Sequence, residues 1–157
     1  MENIVGFLKS KFMNDHYSKL ENMYLNANLN KHIFHNTKIK ISNKKSVITS
    51  PTNKIFFHSL NAIHGFVYFK LLDDAAFFSS HSLSEDFFLL TLNFNISIIK
   101  PVSQGNIRAI GNVISNTKNI FHSESFAYNS QGVLVAFGKG SFVKSKVKLS
   151  EKIGYCY

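Results

Sequence analysis

The sequence predicts an α+β domain in which an antiparallel sheet curls around one long buried helix, and three observations predict this fold class. A helix over residues 66–78 would be apolar on almost every side and therefore buried. Residues 90–98 alternate strictly between apolar and polar side chains, as in a strand with one buried face. Turn-forming residues divide the following chain into three more strands, so we expect one helix followed by four strands joined by hairpins.

The first 29 residues predict an amphipathic helix, and Asn14 marks the candidate position for a break in it. Its apolar side chains recur at spacings of three and four, and they are Ile4, Val5, Leu8, Phe12, Met13, Tyr17, Leu20 and Tyr24. We expect this helix to pack on the domain or on an oligomer partner, and a weak membrane-surface segment is the alternative. Residues 1–30 are thus predicted to be a helical extension, and residues 31–157 a single domain.

Residues 37–49 come next and predict an edge-like strand. Ile39 and Ile41 alternate with lysines, and Asn43-Lys44 marks a turn or bulge. The loop at residues 50–53 then separates this strand from the buried helix.

The strand after the buried helix has one predicted core face and one polar face. The core face carries Leu90, Leu92, Phe94, Ile96 and Ile98, and the polar face carries Thr91. Pro101 ends the strand. Hairpin turns are predicted at residues 103–106, 116–119 and 130–132, which separate strands at 107–113, 120–129 and 133–143.

The net charge of +9 would attract anions such as nucleic acid, acidic lipid or a phosphate-bearing ligand. Seventeen of the eighteen basic residues are Lys, only Arg108 is Arg, and the lysines are scattered. A nucleic-acid binder more often uses Arg for bidentate contacts and interleaves its basic residues with exposed aromatic ones. We therefore expect the charge to be mostly solvated surface, with no nucleic-acid partner.

Cysteine and histidine usage exclude several other classes. Cys156 is the only cysteine, so no disulfide within the chain is possible, and we expect a cytoplasmic protein. No apolar run approaches the roughly 18 residues of a membrane span, and the first residues do not form a signal peptide. The histidines at positions 32, 35, 58 and 64 lack the spacing of a metal site, so we expect none.

Asp73 and Gly65 are the residues of the buried helix that suggest chemistry. The only charged residues in that helix are Lys70, Asp73 and Asp74. An ion pair of Lys70 with one of the acids on an exposed helix edge would explain them without any function. Gly65 favours a function, because a glycine in the first turn lets a ligand approach N–H donors that attract anions and developing oxyanions. Together, a helix-entry donor and a carboxylate farther along the same helix suggest acyl chemistry.

Four features of the chain match one known family. They are the His64-Gly65 helix entry, Asp73 nine residues after His64, the strand TLNFNI from Thr91 that closes at Pro101, and the run GVLVAFGKGSF at 132–142. On these features the chain resembles the hotdog-fold acyl-CoA thioesterases of the phenylacetic-acid-degradation type. The resemblance covers residues 35–147 and implies a hotdog fold, with the N-terminal helix as an addition.

The resemblance also implies a role for each matched residue. Asp73 falls on the catalytic carboxylate, which either activates water or attacks the thioester carbonyl directly. Gly65 falls on the residue whose backbone N–H polarises that carbonyl, with help from the helix dipole. Thr91 falls on a hydroxyl that orients water or the carboxylate, and His58 on a side-chain donor that is often Asn or Gln. Without the family, Thr91 is an ordinary strand residue and His64 a structural helix-entry residue.

Substrate binding is also predicted from the resemblance. The predicted residues are Asn61, His64, Phe66, Lys118 and Lys144, of which the lysines are candidates for the coenzyme A phosphates together with Lys146 and Arg108. Phe66 stands where the family commonly has a second glycine and would narrow the helix entry. His58 in place of an amide would add a pH dependence near neutrality. The resemblance implies coenzyme A as part of the substrate and no other cofactor.

The family works as homodimers or dimers of dimers, and its active sites lie between subunits. The resemblance therefore implies that Gly65 and Asp73 of one site come from different chains and that sheet edges are paired across the dimer. The leading prediction is an acyl-CoA thioesterase. A non-catalytic hotdog module that binds acyl-CoA or serves in assembly is the alternative, followed by a dehydratase of the same fold and a nucleic-acid binder.

Overall fold

The computed structural model describes residues 2–157, with side chains described from residue 12 onward, so the predicted apolar positions Ile4, Val5 and Leu8 lie outside the described side chains. The described residues form three α-helices and six strands. In chain order these are α1 Glu2–Asn26, α2 Asn28–His32, β1 Lys38–Ser42, β2 Lys45–Pro51, α3 Gly65–His81, β3 Phe87–Ile98, β4 Asn106–Asn116, β5 Ile120–Tyr128 and β6 Leu134–Lys148. Two 3-10 helices lie at Lys54–Phe56 and Glu151–Ile153.

All six strands form one antiparallel sheet in the order β1-β2-β4-β5-β6-β3. The predicted buried helix is α3, which lies across the sheet and contacts every strand of it. Its inward side chains, such as Leu71, Leu72 and Ala75, are at most 1% exposed. The predicted fold class, an antiparallel sheet curled around one long helix, is confirmed.

Small residues hold α3 unusually close to the middle of the sheet. A Cβ atom at Gly111 on β4 would clash with the Ala75 carbonyl, so no side chain fits there. The hydroxyl of Ser46 donates to the same carbonyl at 2.7 Å, and that of Ser125 donates to the Leu72 carbonyl at 2.8 Å. The helix is therefore fixed to the sheet both by packing and by hydrogen bonds from strand side chains.

The predicted meander of four strands is wrong at its first connection. β3 pairs with β6 at the edge of the sheet, whereas β4 pairs with β2 and β5 and so has no free edge. The predicted hairpin at residues 103–106 instead belongs to a connection that passes the start of α3. In that connection, Ile63 N–H donates to the Val102 carbonyl at 2.9 Å, and Thr52 N–H donates to the Gly105 carbonyl at 2.8 Å.

The predicted core face of β3 is also wrong in part, because a bulge interrupts its alternation. The pairing with β6 shifts register between Thr91 and Asn93. Before the shift Leu89 is buried, and Leu90 and Leu92 are 51% and 58% exposed. After the shift Phe94 packs on the core. Odd-numbered residues before the bulge and even-numbered residues after it thus face α3, which turns Thr91 towards the helix.

The N-terminal helix packs on the domain, as predicted. α1 continues past Asn14 without a break, and Leu20 and Tyr24 belong to the same core as α3. His16 joins three segments, because its Nε2 donates to the His81 carbonyl at 3.1 Å and its Nδ1 accepts from Tyr155 at 2.7 Å. The division at residue 30 stays a prediction.

The predicted strand at residues 37–49 is a hairpin. It consists of β1 and β2, and Lys44 in the turn between them has a φ of 60°. The predicted turn at Asn43-Lys44 therefore lies where the chain reverses direction.

Candidate active site

The N-terminus of α3 presents an open backbone donor. His64 caps the helix in an extended conformation, and its Nδ1 accepts from Phe66 N–H at 3.4 Å. Val67 N–H donates to the His64 carbonyl at 3.0 Å. Among the described residues nothing accepts from Gly65 N–H, so this donor is unpaired at the positive end of the helix dipole.

Packing within the chain does not by itself require glycine at position 65. A Cβ there would meet only the Cδ1 atom of Ile98, at 3.4 Å. Without a side chain, position 65 leaves more of the groove that it lines open. This is the access that a polarised carbonyl oxygen would need.

A turn before the helix carries two of the other predicted residues. His58 N–H donates to the Ala62 carbonyl at 2.9 Å, and its ring Nδ1 accepts from Leu60 N–H at 3.2 Å. Asn61 has a φ of 58°, a left-handed conformation that Asn tolerates better than most residues. Asn61 thus has a clear role in the turn, and His58 keeps only Nε2 free of the turn.

His58 and Gly65 line a groove of about 290 Å³. Tyr68 and Lys100 also line it, and the Tyr68 hydroxyl donates to the Lys100 carbonyl at 3.1 Å. The sequence did not single out Lys100, because only the tertiary packing of the segment after β3 brings it to the helix entry.

Asp73 lies two turns farther along α3, where it meets Thr91 of β3. The Thr91 hydroxyl donates to Asp73 Oδ1 at 3.4 Å across the bulge in β3. Burial raises the pKa of Asp73 to about 6, and the neighbouring negative charge of Asp74 adds to this effect. The Thr91 hydrogen bond and the Lys70 charge oppose the rise in pKa. A carboxyl with this pKa is ionised at neutral pH and basic enough to accept a proton.

Lys70 and Asp74 form an ion pair, but not on an exposed edge of the helix as predicted. The side chains are only 11% and 24% exposed, because Tyr24 of α1 and Phe34 cover them. The Lys70 ammonium lies 5.0 Å and 4.8 Å from the centres of these two rings. Burial raises the pKa of Asp74, and Lys70 opposes that rise. Asp74 is therefore largely buried within the chain.

Asp73 and Thr91 open onto a cleft of about 690 Å³. Phe77, Phe78 and Phe88 form much of its apolar lining. Parts of its wall come from residues 26–30 at the end of α1 and the start of α2, and from Ile153 near the C-terminus. Sequence reasoning missed these wall residues, since only tertiary packing brings them to Asp73.

The predicted site residues fall into two separate groups within one chain. Gly65, His58 and His64 lie at the start of α3, and Asp73 and Thr91 lie at the large cleft. At 1.5 Å per residue, the eight residues from Gly65 to Asp73 span about 12 Å of helix. One carbonyl group does not reach both residues of the same chain.

The remaining predicted residues lie apart from both groups. Lys118 is exposed in the turn between β4 and β5, and Lys144 lies on β6 opposite Leu89. Neither lines the groove or the large cleft. Phe66 is 49% exposed and contacts the edge of Phe56. Within the described residues, no group of three or more His, Cys, Asp and Glu side chains is arranged to hold a metal ion.

Comparison with known proteins finds similarity in structure alone. No family model and no curated protein sequence match the chain. Among solved structures, the PaaI protein of the phenylacetic acid degradation operon of Escherichia coli superposes with a TM-score of 0.78 at 17% identity, covering 88% of this chain and 99% of that one.

Two other similar structures are described as thioesterases. One, from Haemophilus influenzae, has a TM-score of 0.69 at 18% identity and covers 78% of this chain and 85% of its own. Another, a mutant from Staphylococcus aureus, has a TM-score of 0.66 at 20% identity and covers 70% of this chain and 94% of its own. The chain therefore has the hotdog fold, and its predicted resemblance to PaaI-type proteins is confirmed at the level of fold.

Proposed function

We propose that this protein is an acyl-CoA thioesterase in which Asp73 is the catalytic carboxylate. The observation that carries the proposal is a partly buried carboxylate with a pKa of about 6, hydrogen-bonded to Thr91 and open to an apolar cleft. Solved structures of the same fold include thioesterases, which adds support. The proposed location is the cytoplasm, for which the support is the single cysteine.

In the proposed reaction the thioester carbonyl carbon is attacked and the carbon–sulfur bond breaks. Asp73 either takes a proton from the attacking water or attacks the carbonyl itself, after which water releases the acid. The Gly65 N–H and the helix dipole stabilise the negative oxygen of the intermediate. The products are a free carboxylic acid and the thiol of coenzyme A, and Thr91 orients the carboxylate or the water.

The proposed enzyme is a homodimer or a dimer of dimers. The separation of about 12 Å between Gly65 and Asp73 supports this, because a second copy is needed to place a Gly65 beside an Asp73. β3 also lies at an edge of the sheet, where its backbone groups are free to pair, and Leu90 and Leu92 on it are half exposed. We propose that β3 lies at the interface between subunits.

Binding of the coenzyme A phosphates is proposed to use basic side chains near the helix entry. Lys100 lines the groove beside Gly65 and is exposed, so it joins Lys118 and Lys144 as a candidate. Lys118 and Lys144 would serve only if the second subunit brings them to the groove. No other cofactor is proposed.

The test is release of free coenzyme A from short, medium, long and aryl acyl-CoAs. Replacing Asp73 with Asn keeps the shape of the side chain and removes its basicity, so we expect a loss of about 10²–10⁴-fold in kcat. The matched control is Asp86→Asn, because Asp86 is an exposed acid outside the cleft. Full activity of the Asp73→Asn enzyme on every acyl-CoA that the wild type cleaves would exclude the proposed role.

A second candidate function is a hotdog module that binds acyl-CoA without cleaving it. The half-exposed Phe66 ring favours this alternative, because it stands where the resembled family commonly has a second glycine. One ring nitrogen of His58 also accepts a hydrogen bond within its own turn and does not point to a ligand. Tight binding of acyl-CoA by a folded oligomer that releases no coenzyme A would support this second function over the first.

A further inference from the structure

The large cleft is built in part from segments outside residues 35–147, the region that the predicted resemblance covers. Residues 26–30 at the junction of α1 and α2 form part of its wall, and Ile153 near the C-terminus forms another part. We call residues 26–30 the junction wall. Ala27 and Leu29 of this wall are exposed, and they line the same cleft as Asp73 and Thr91.

Resting on the proposed thioesterase function, we propose that this cleft binds the acyl part of the substrate and that the junction wall determines which acyl groups fit. A thioester carbonyl held at Asp73 must place its acyl carbons in the adjoining space. That space is lined by Phe77, Phe88 and Ile153, which suit hydrocarbon. Its volume of about 690 Å³ lies within the range of cavities that hold small organic ligands.

The junction wall is anchored firmly enough to act as a size limit. Asn30 is 6% exposed, and its amide donates to the Tyr24 carbonyl at 2.7 Å. Ala27 N–H donates to the same carbonyl at 3.3 Å. Tyr24 in turn packs edge-on against Phe78 of α3, with ring centres 5.2 Å apart. The backbone of the junction wall is therefore tied to the helix that carries Asp73.

One buried atom in this wall has no hydrogen-bond partner within the described residues. The side-chain oxygen of Asn30 has no hydrogen-bond partner among the described residues, although it is almost fully buried in the lining of the cleft. An unpaired buried acceptor is costly. A hydrogen-bond donor such as water would pair it, whereas the hydrocarbon of an acyl group carries no donor.

The experiment changes the size of the cleft in both directions and measures kcat/KM across acyl-CoAs from acetyl to dodecanoyl. Ala27→Phe fills space, so we expect kcat/KM for the largest acyl group that the wild type accepts to fall by about tenfold more than kcat/KM for acetyl-CoA. Leu29→Ala enlarges the cleft, so we expect the opposite change in the ratio between long and short substrates. Ser18→Phe is the control, since Ser18 is exposed on α1 away from the cleft.

Binding of non-hydrolysable ketone analogues of the same acyl-CoAs supplies a second readout that needs no turnover. Specificity ratios that stay at the wild-type value in both Ala27→Phe and Leu29→Ala would overturn the inference while leaving the thioesterase proposal in place. A wild type that binds the analogues without turnover would instead exclude the thioesterase, and the two variants would still test the wall by affinity. A wild type that neither cleaves nor binds any of them would overturn both proposals.

Discussion

The two ends of α3 differ in what they bury. In its first turns the apolar side chains of Phe66 and Phe69 are 49% and 42% exposed. In its last turns the polar side chains of Ser79, Ser80 and His81 are fully buried. The usual distribution of apolar and polar residues is thus reversed along a single helix.

The two ends also differ in how their polar groups are paired within the chain. Ser79 and Ser80 reach the Ser123 hydroxyl at 3.2 Å and 2.7 Å, so their polar atoms are paired within the chain. Phe66 and Phe69 leave about half of their rings open beside the unpaired Gly65 N–H. Exposed apolar surface next to an open donor is typical of a site that another molecule completes. The end of α3 is therefore packed inside the chain, whereas its start leaves apolar rings and a backbone donor open.

The largest expected effect comes from placing a charge on the exposed apolar side of β3, at the edge of the sheet. Leu92→Lys places a charge on the exposed side of β3, so we expect loss of self-association. Hydrolysis should fall by about 10³-fold, because the Gly65 donor of the second subunit leaves the site. Ile114→Lys on β4 is the matched control, with 57% exposure against 58% for Leu92. Sedimentation and coenzyme A release measure both effects, and an active Leu92→Lys monomer would contradict the two-chain site.

A second effect concerns the buried end of α3 and its dependence on pH. Burial lowers the pKa of His81 to about 4, and its ring lies among Phe77, Phe78 and Phe88. Between pH 6.5 and about 4 the unfolded chain binds a proton at His81 and the folded chain does not, so the free energy of unfolding falls as the pH falls. The gap in pKa corresponds to about 3 kcal/mol.

The check is urea unfolding of the wild type and of His81→Phe at several pH values between about 7.5 and 4, from about one unit above the ordinary pKa of His down to the lowered pKa of His81. The Phe side chain suits the aromatic surroundings and does not titrate, so its variant should lose about 3 kcal/mol less than the wild type over this range. Equal losses in the two proteins would contradict the prediction. Burial also lowers the pKa of His16, so His16 lowers the free energy of unfolding at low pH in both proteins.

The smallest effect sharpens the assignment of the catalytic carboxylate. With a pKa of about 6, Asp73 is ionised in roughly one molecule in ten at pH 5, so kcat/KM should fall to about a tenth of its plateau there. Asp74→Asn removes the neighbouring negative charge and should move this acid limb to lower pH. An acid limb that Asp74→Asn leaves in place would show that another group controls the pH dependence.

The sequence predicted the helices and strands of this fold better than the contacts between them. The apolar run that forms α3 is a local pattern, and it located the helix and Asp73 within it. The pairing of β3 with β6 joins residues such as Leu90 and Val143, which lie far apart in sequence, and hairpin logic favoured the nearer strand. The burial of Lys70 depends on Tyr24 and Phe34, which no periodicity connects to α3.

The sequence predicted individual residues of the candidate site but not how those residues are arranged in space. Family resemblance selected Asp73, Gly65 and Thr91, and the structure places Thr91 against Asp73. Alternation alone placed Thr91 on the face away from α3, because periodicity does not reveal a bulge. The junction wall gave no local signal, since its side chains acquire a role only where α1 meets the cleft.

The bulge in β3 makes the length of that strand matter as much as its composition. Thr91 faces Asp73 only because one extra residue interrupts the alternation before Phe94 packs on the core. Deleting a residue there would force a choice between a buried Phe94 and an inward Thr91. Substitutions on the exposed face of β3 leave that geometry unchanged, whereas a length change of a single residue couples the integrity of the core directly to the position of the hydroxyl. The strand can therefore vary widely in sequence but hardly at all in length.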